Sequence, residues 1–153
     1  MKTLLTYLLL VGAPLLGLLG ILRAGERIVP PRHVGGEWAI EPALAAALRA
    51  ACPDLVFPAA GPTLGVSQSG TRAVVTLNDS AATTLDARLD GVALAAATGD
   101  GSAACGGRGL RLAATLREDP GPPRLDGALS VPGCPSCAPV PLRAARLPAT
   151  PAR

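Results

Sequence analysis

The stretch "TLDARLDGVALAAAT", residues 84–98, decides the fold. Leu85, Ala87 and Leu89 alternate with Asp86, Arg88 and Asp90. Successive side chains of a strand point to opposite faces, so this pattern gives one apolar face and one charged face. Asp90-Gly91 then marks a tight turn, and "VALAAAT" resumes as a second strand.

The same grammar extends in both directions. "TLGVSQ" and "RAVVTLN" flank Ser69-Gly70. "GLRLAATLRED" puts Leu110, Leu112, Ala114 and Leu116 inside, with Arg111, Ala113, Thr115 and Arg117 outside. "PGPP" at 120–123 breaks that strand, "RLDGALSV" follows, and "PVPLRAARL" closes the series. With "EWAIE" at the front, the tally is about eight short strands with turn signals between them, the pattern of an all-β sandwich or barrel. Short connections favour antiparallel neighbours, and closing such a meander removes its edges, so an up-and-down barrel is expected. One helical segment interrupts the series. "EPALAAALRAAC", residues 41–52, has a proline suited to a first helical turn and a run of Ala and Leu, and Pro53 stops it.

The chain begins differently. Thr3 to Leu22 is a run of 20 uncharged residues, preceded by Lys2 and followed by Arg23, Glu26 and Arg27. A helix of about 20 apolar residues spans a bilayer. A secretory signal would have a shorter apolar region and a small-x-small cleavage site, so an uncleaved, single-pass anchor in the cytoplasmic membrane is the expectation, with Pro14 as a mild kink. Residues 1–24 are read as the anchor, and 25–35, containing Pro30-Pro31 and ending at Gly35 where Gly35-Gly36 releases the chain into the domain, as a linker. Residues 36–147 form the β-domain, and 148–153 a disordered tail.

Charge alone does not orient the anchor, because Lys2 and the α-amine are balanced by Arg23, Arg27 and Arg32. The cysteines do. Cys52, Cys105, Cys134 and Cys137 all follow the anchor, and an even count in a small, loop-rich domain reads as a disulfide framework in an oxidising compartment. The C-terminal domain is therefore expected outside the cytoplasmic membrane.

Cys134 and Cys137 have the spacing of a dithiol redox centre or of half a zinc site. A redox centre of the thioredoxin kind uses a helix N-terminus to lower the thiol pKa, and Pro139 and Pro141 prevent a helix there. A structural zinc site needs two further ligands, commonly a second close pair, whereas Cys52 and Cys105 are single and the only histidine, His33, lies in the linker. Disulfides are favoured, with thiol redox or zinc binding as the alternative. Of the three pairings that four cysteines allow, the expectation is that Cys134 and Cys137 each join a distant element, tying 42–62 and 98–109 to the last strands.

The net charge of +3 is small, and Tyr7, Trp38 and Phe57 are the only aromatic residues. A nucleic-acid surface would need a basic stripe or stacking aromatics. That class is excluded. Asp86, Asp90 and Asp126 sit among arginines and read as members of solvated cross-strand ion pairs rather than as paired catalytic carboxylates. Nothing assembles a nucleophile, a base and an oxyanion site, so no catalytic residue, cofactor or metal is assigned.

"GGEW" carries a resemblance. A Gly-x-Trp on the first strand of a short antiparallel barrel resembles the lipocalin/calycin signature, here Gly36 and Trp38. The resemblance implies a tryptophan at the closed end of the barrel, packed against an arginine of the last strand, here Arg143 or Arg146. It also implies binding of a small apolar ligand in the barrel, lined by Leu64, Val75, Leu89, Leu112 and Leu129, although in so narrow a barrel these residues would simply fill the interior. The layout of apolar segment, Pro linker and Gly-Gly-x-Trp domain resembles the extracytoplasmic piece of some bacterial cation:proton antiporters, which implies an accessory role beside a transporter. Taken together, the expectation is a bacterial, membrane-anchored, non-enzymatic binding module, contacting the membrane through residues 3–22 and taking an apolar ligand, an envelope protein or a transporter as partner.

Overall fold

The computed structural model describes residues 2–25, 32–118, 121–135 and 137–148, for 2–9, 24 and 25 the backbone alone. The chain divides into two compact units at Pro30/Pro31. The first holds one helix, α1 (Lys2–Gly25), which continues through Pro14. Among the described residues no helix is long and apolar enough to cross a membrane. The expected membrane-spanning anchor therefore gains no support, and part of the run that suggested it, the side chains of 3–9, lies outside the described residues. Most of the expected linker and tail, residues 26–31 and 149–153, lies outside them too.

The second unit is a closed antiparallel barrel of eight strands in sequence order, β1 (Gly36–Ile40), β2 (Thr63–Ser69), β3 (Arg72–Leu77), β4 (Thr84–Asp90), β5 (Ala93–Ala97), β6 (Arg111–Arg117), β7 (Arg124–Ser130) and β8 (Val140–Arg146). Its helix α2 (Pro42–Ala51) lies between β1 and β2, with Pro42 in its first turn. A one-turn segment, α3 (Ala104–Gly107), lies between β5 and β6. Pairing of β1 with β8, which sets Trp38 opposite Arg146, closes the cylinder, so the all-β expectation resolves to a barrel and not a sandwich.

The period-two pattern is kept strand by strand. In β4, Leu85, Ala87 and Leu89 are buried and Thr84, Asp86, Arg88 and Asp90 are exposed. Two hairpin turns of two residues, Gly70-Thr71 and Gly91-Val92, join β2 to β3 and β4 to β5. In each, only the glycine has positive φ, +63° and +58°, the pattern of a II′ turn whose twist matches that of the flanking strands.

Alternate strand ends define two mouths. At one lie α2 and the long connections 78–83, 98–110 and 131–139; at the other lie residues 32–35, the two short turns and the end of β8. The inward residues of the strands form one cluster that extends into α2 and the segment after it, through Leu44, Leu48, Cys52 and Leu55. Leu44, Ala45 and Leu48 share one helix face, three and four residues apart, and that face is the one α2 buries. An eight-stranded barrel has an interior just wide enough for its own side chains. Here leucine fills it, and α2 continues the packing across the first mouth.

Candidate functional site

The sequence-derived candidates fall at three places: the lumen, the two mouths and the outer wall. Leu64, Val75, Leu89, Leu112 and Leu129 all point inward and are at most 3% exposed. They are core residues packed with Leu77, Leu85, Leu94, Leu125 and Leu142, and not the lining of an open ligand chamber.

The mouth opposite α2 is closed by side chains. Trp38 is fully buried, and its indole Nε1 donates to the Val34 carbonyl at 3.0 Å. The Arg146 guanidinium lies over the indole, 5.8 Å from the ring centre, and donates through Nη2 to the Gly35 carbonyl. Gly36 has φ +127° and lies against this arginine; a Cβ there would sit 3.3 Å from Arg146 Nε. Gln68 completes the closure, accepting from Val34 N and donating to the Arg32 and Gly70 carbonyls. Gly36, Trp38 and Arg146 thus meet. Arg143 does not join them: its strand neighbours Leu142 and Ala144 face inward, so Arg143 faces outward, opposite Asp126.

The α2 mouth holds all four cysteines, but their pairing corrects the expectation. Cys52 is bonded to Cys105 and Cys134 to Cys137. Cys52 caps the C-terminal end of α2 and is buried beside the β5–β6 connection that carries Cys105, so the long-range bridge ties α2 to that connection. The Cys134–Cys137 bridge is local and half-exposed, and Cys137 Sγ lies 4.0 Å from the Ala51 carbonyl oxygen at the end of α2. The β3–β4 connection is held by its own buried pair: Asp79 accepts from the Thr83 backbone N–H at 2.7 Å and from its hydroxyl at 2.8 Å. Ser80 N then donates to the Val56 carbonyl, which docks this connection onto the segment after α2.

Among the described residues, no group of three His, Cys, Asp or Glu side chains is placed to hold a metal ion. His33 is exposed, and its imidazole lies where a Cβ on Gly35 would stand.

The outer wall is where the structure departs most from the sequence reading. Solvated cross-strand ion pairs were expected around Asp86, Asp90 and Asp126, but among the described residues the one ion pair is Arg32–Glu118, at 3.0 Å and exposed. Register explains the difference at Asp86 and Asp90, though not at Asp126, which stands opposite Arg143. Arg88 stands directly opposite Arg72, and Asp86 stands opposite Val74 on one side and Ala97 on the other. Like charges directly opposite are destabilising. Beside them, β5 and β6 present Ala95, Ala97 and Ala113 outward, and Arg111 follows on β6. Small side chains between long ones leave a trough of about 930 Å³, lined also by Ser67, Ser69 and Ser130. Its floor is apolar and includes Val74, which is 41% exposed. Its charged groups are three guanidinium groups and one carboxylate. None of the three arginines has a hydrogen-bond or ion-pair partner among the described residues.

Sequence reasoning named Arg88 and Arg111 as outward residues but did not single them out. The available signal was the low side-chain bulk of "ALAAA" between two arginine-bearing strands. Comparison of the chain with protein-family models, with curated proteins and with solved structures returned no match.

Proposed function

We propose that this chain is a non-enzymatic interaction module of lipocalin-like architecture, exported from the cytoplasm, that recognises its partner on the outer wall of the barrel and not in the lumen. The observation that carries this reading is the contrast between a lumen filled by leucine and sealed at one mouth by Trp38 and Arg146, and a wall trough bearing Arg72, Arg88 and Arg111 without partners. Side chains that fill a core explain themselves by stability, whereas the opposed Arg72 and Arg88 share a trough with Arg111 and an apolar floor, and a partner that filled it would offset the repulsion between them. Export is supported by the two disulfides, since such bonds persist in oxidising compartments. The apolar run Thr3–Leu22 supplies the segment that would direct it.

The test is photo-crosslinking in cells that export the full chain, with a photoreactive amino acid at position 97 in the trough or at position 145 on the opposite wall. Ala97 and Ala145 are both outward alanines, so neither replacement disturbs the core. Discrete adducts from position 97 and none from 145 support the reading. Equal adducts from both positions, or none from either, reject it.

A further inference from the structure

We infer that the trough binds an extended acidic segment of a partner protein, with two carboxylates three or four residues apart. This inference rests on the outer-wall reading above and adds the chemistry of the occupant.

Three observations select that chemistry. First, Arg72 and Arg88 are directly opposite each other, so their guanidinium groups offer adjacent planar forks with no acid between them. A carboxylate accepts bidentate hydrogen bonds from such forks. Second, Arg111 is offset from Arg88 by two strands and two residues, through Ala95 and Ala113. Strand spacing and rise put their Cα atoms about 12 Å apart, which an extended chain covers in three to four residues. Third, the floor between the two anchor points is Ala95, Ala97 and Ala113, which suits short apolar side chains in the middle of the segment. Asp86, the one carboxylate lining the trough, stands beside that path and disfavours a third acid there.

The shape argues against the other anionic partners. A bilayer surface is flat and would meet the rim but not the alanine floor, and a nucleic acid would find no aromatic side chain on which to stack. A free phosphate would use the arginine pair and leave Arg111 and the floor unused.

The test uses the full chain in non-ionic detergent and a fluorescein-labelled peptide, Gly-Glu-Val-Ala-Glu-Gly, followed by fluorescence anisotropy. Saturable binding that weakens as salt is raised is expected. The double variant Arg72→Gln/Arg88→Gln should weaken it by about tenfold or more. Arg111→Gln should reduce affinity for this peptide to that of a peptide carrying the first glutamate alone. The pair Arg117→Gln/Arg124→Gln, also directly opposed but outside the trough, should leave affinity unchanged. Thermal melts provide the folding control: removing Arg88 relieves a repulsion, so Arg88→Gln should melt no lower than the parent. The inference is overturned if the peptide does not bind, if a peptide with adjacent glutamates binds equally well, or if the control pair causes the same loss. It is also overturned if phosphatidylglycerol vesicles or inorganic phosphate bind at the trough and the peptide does not. Adducts at position 97 without peptide binding would reject the acidic segment and leave the outer-wall reading standing; absence of both would reject the two together.

Discussion

The Arg146 guanidinium lies 5.8 Å from the centre of the Trp38 ring, and the two residues stand opposite each other in the β1–β8 register. One contact therefore joins the first strand to the last, covers the buried indole and satisfies the Gly35 carbonyl. Removing it by Arg146→Ala should cost about 1–3 kcal/mol in urea unfolding, from the lost cation–π contact and charged hydrogen bond together. Arg143→Ala, on the outward face of the same strand, should stay within about 0.5 kcal/mol of the parent.

The filled lumen gives a second prediction. Leu125 is fully buried, so Leu125→Ala should destabilise the barrel by about 2–5 kcal/mol through lost transfer energy and a residual cavity. That cavity is apolar, and benzene should raise the melting temperature of the variant and not of the parent. An equal rise in both would mean that the parent lumen is open.

The two disulfides should differ in weight and in access. The Cys52–Cys105 bridge spans 53 residues, and the chain-entropy model gives it about 4 kcal/mol. The Cys134–Cys137 bridge spans three and should contribute about 2 kcal/mol or less. Cys52 and Cys105 are buried, whereas Cys134 and Cys137 are half-exposed. Mild dithiothreitol followed by alkylation and mass spectrometry of the native protein should label 134 and 137 before 52 and 105. Loss of cooperative unfolding should accompany the second event only.

Gly127 of β7 stands opposite Ala114 of β6. A Cβ there would collide with the Ala113 carbonyl oxygen and the Ala114 Cα, both backbone atoms. Gly127→Ala should therefore cost about 1–3 kcal/mol or more through forced backbone displacement. Gly12→Ala in α1, where a Cβ meets nothing, should cause no loss by the same measure.

Much of the barrel was legible in the chain because its signal is local. Period-two alternation places Leu85, Ala87 and Leu89 inside without knowledge of any partner strand. The same parity would have separated the two arginines of β8: Val140, Leu142 and Ala144 face inward, so position 146 shares their side and position 143 does not. The cysteine pairing was not legible, because α2 and the 98–110 and 131–139 connections all gather at one mouth, and chain order does not rank the sulfurs within it. The trough was hidden for a related reason. The turn at Gly70-Thr71 fixes β2 against β3, but the opposition of Arg72 and Arg88 depends on the six-residue connection between β3 and β4, whose docking through Asp79, Thr83 and Ser80 is a tertiary matter. Alternation of acid and base along β4 suggested ion pairs across it, and there register decided otherwise.

The proposed recognition occurs on the outer wall, through its unpartnered arginines. The most direct measurement is the yield of crosslinked adduct from a photoreactive residue at position 97 in exporting cells, with and without the charge reversal Arg88→Glu. The expected result is a discrete adduct that Arg88→Glu abolishes while the protein is exported and folded to the same level. An adduct of undiminished yield in the Arg88→Glu protein, or no adduct in the parent, would rule out recognition through these arginines.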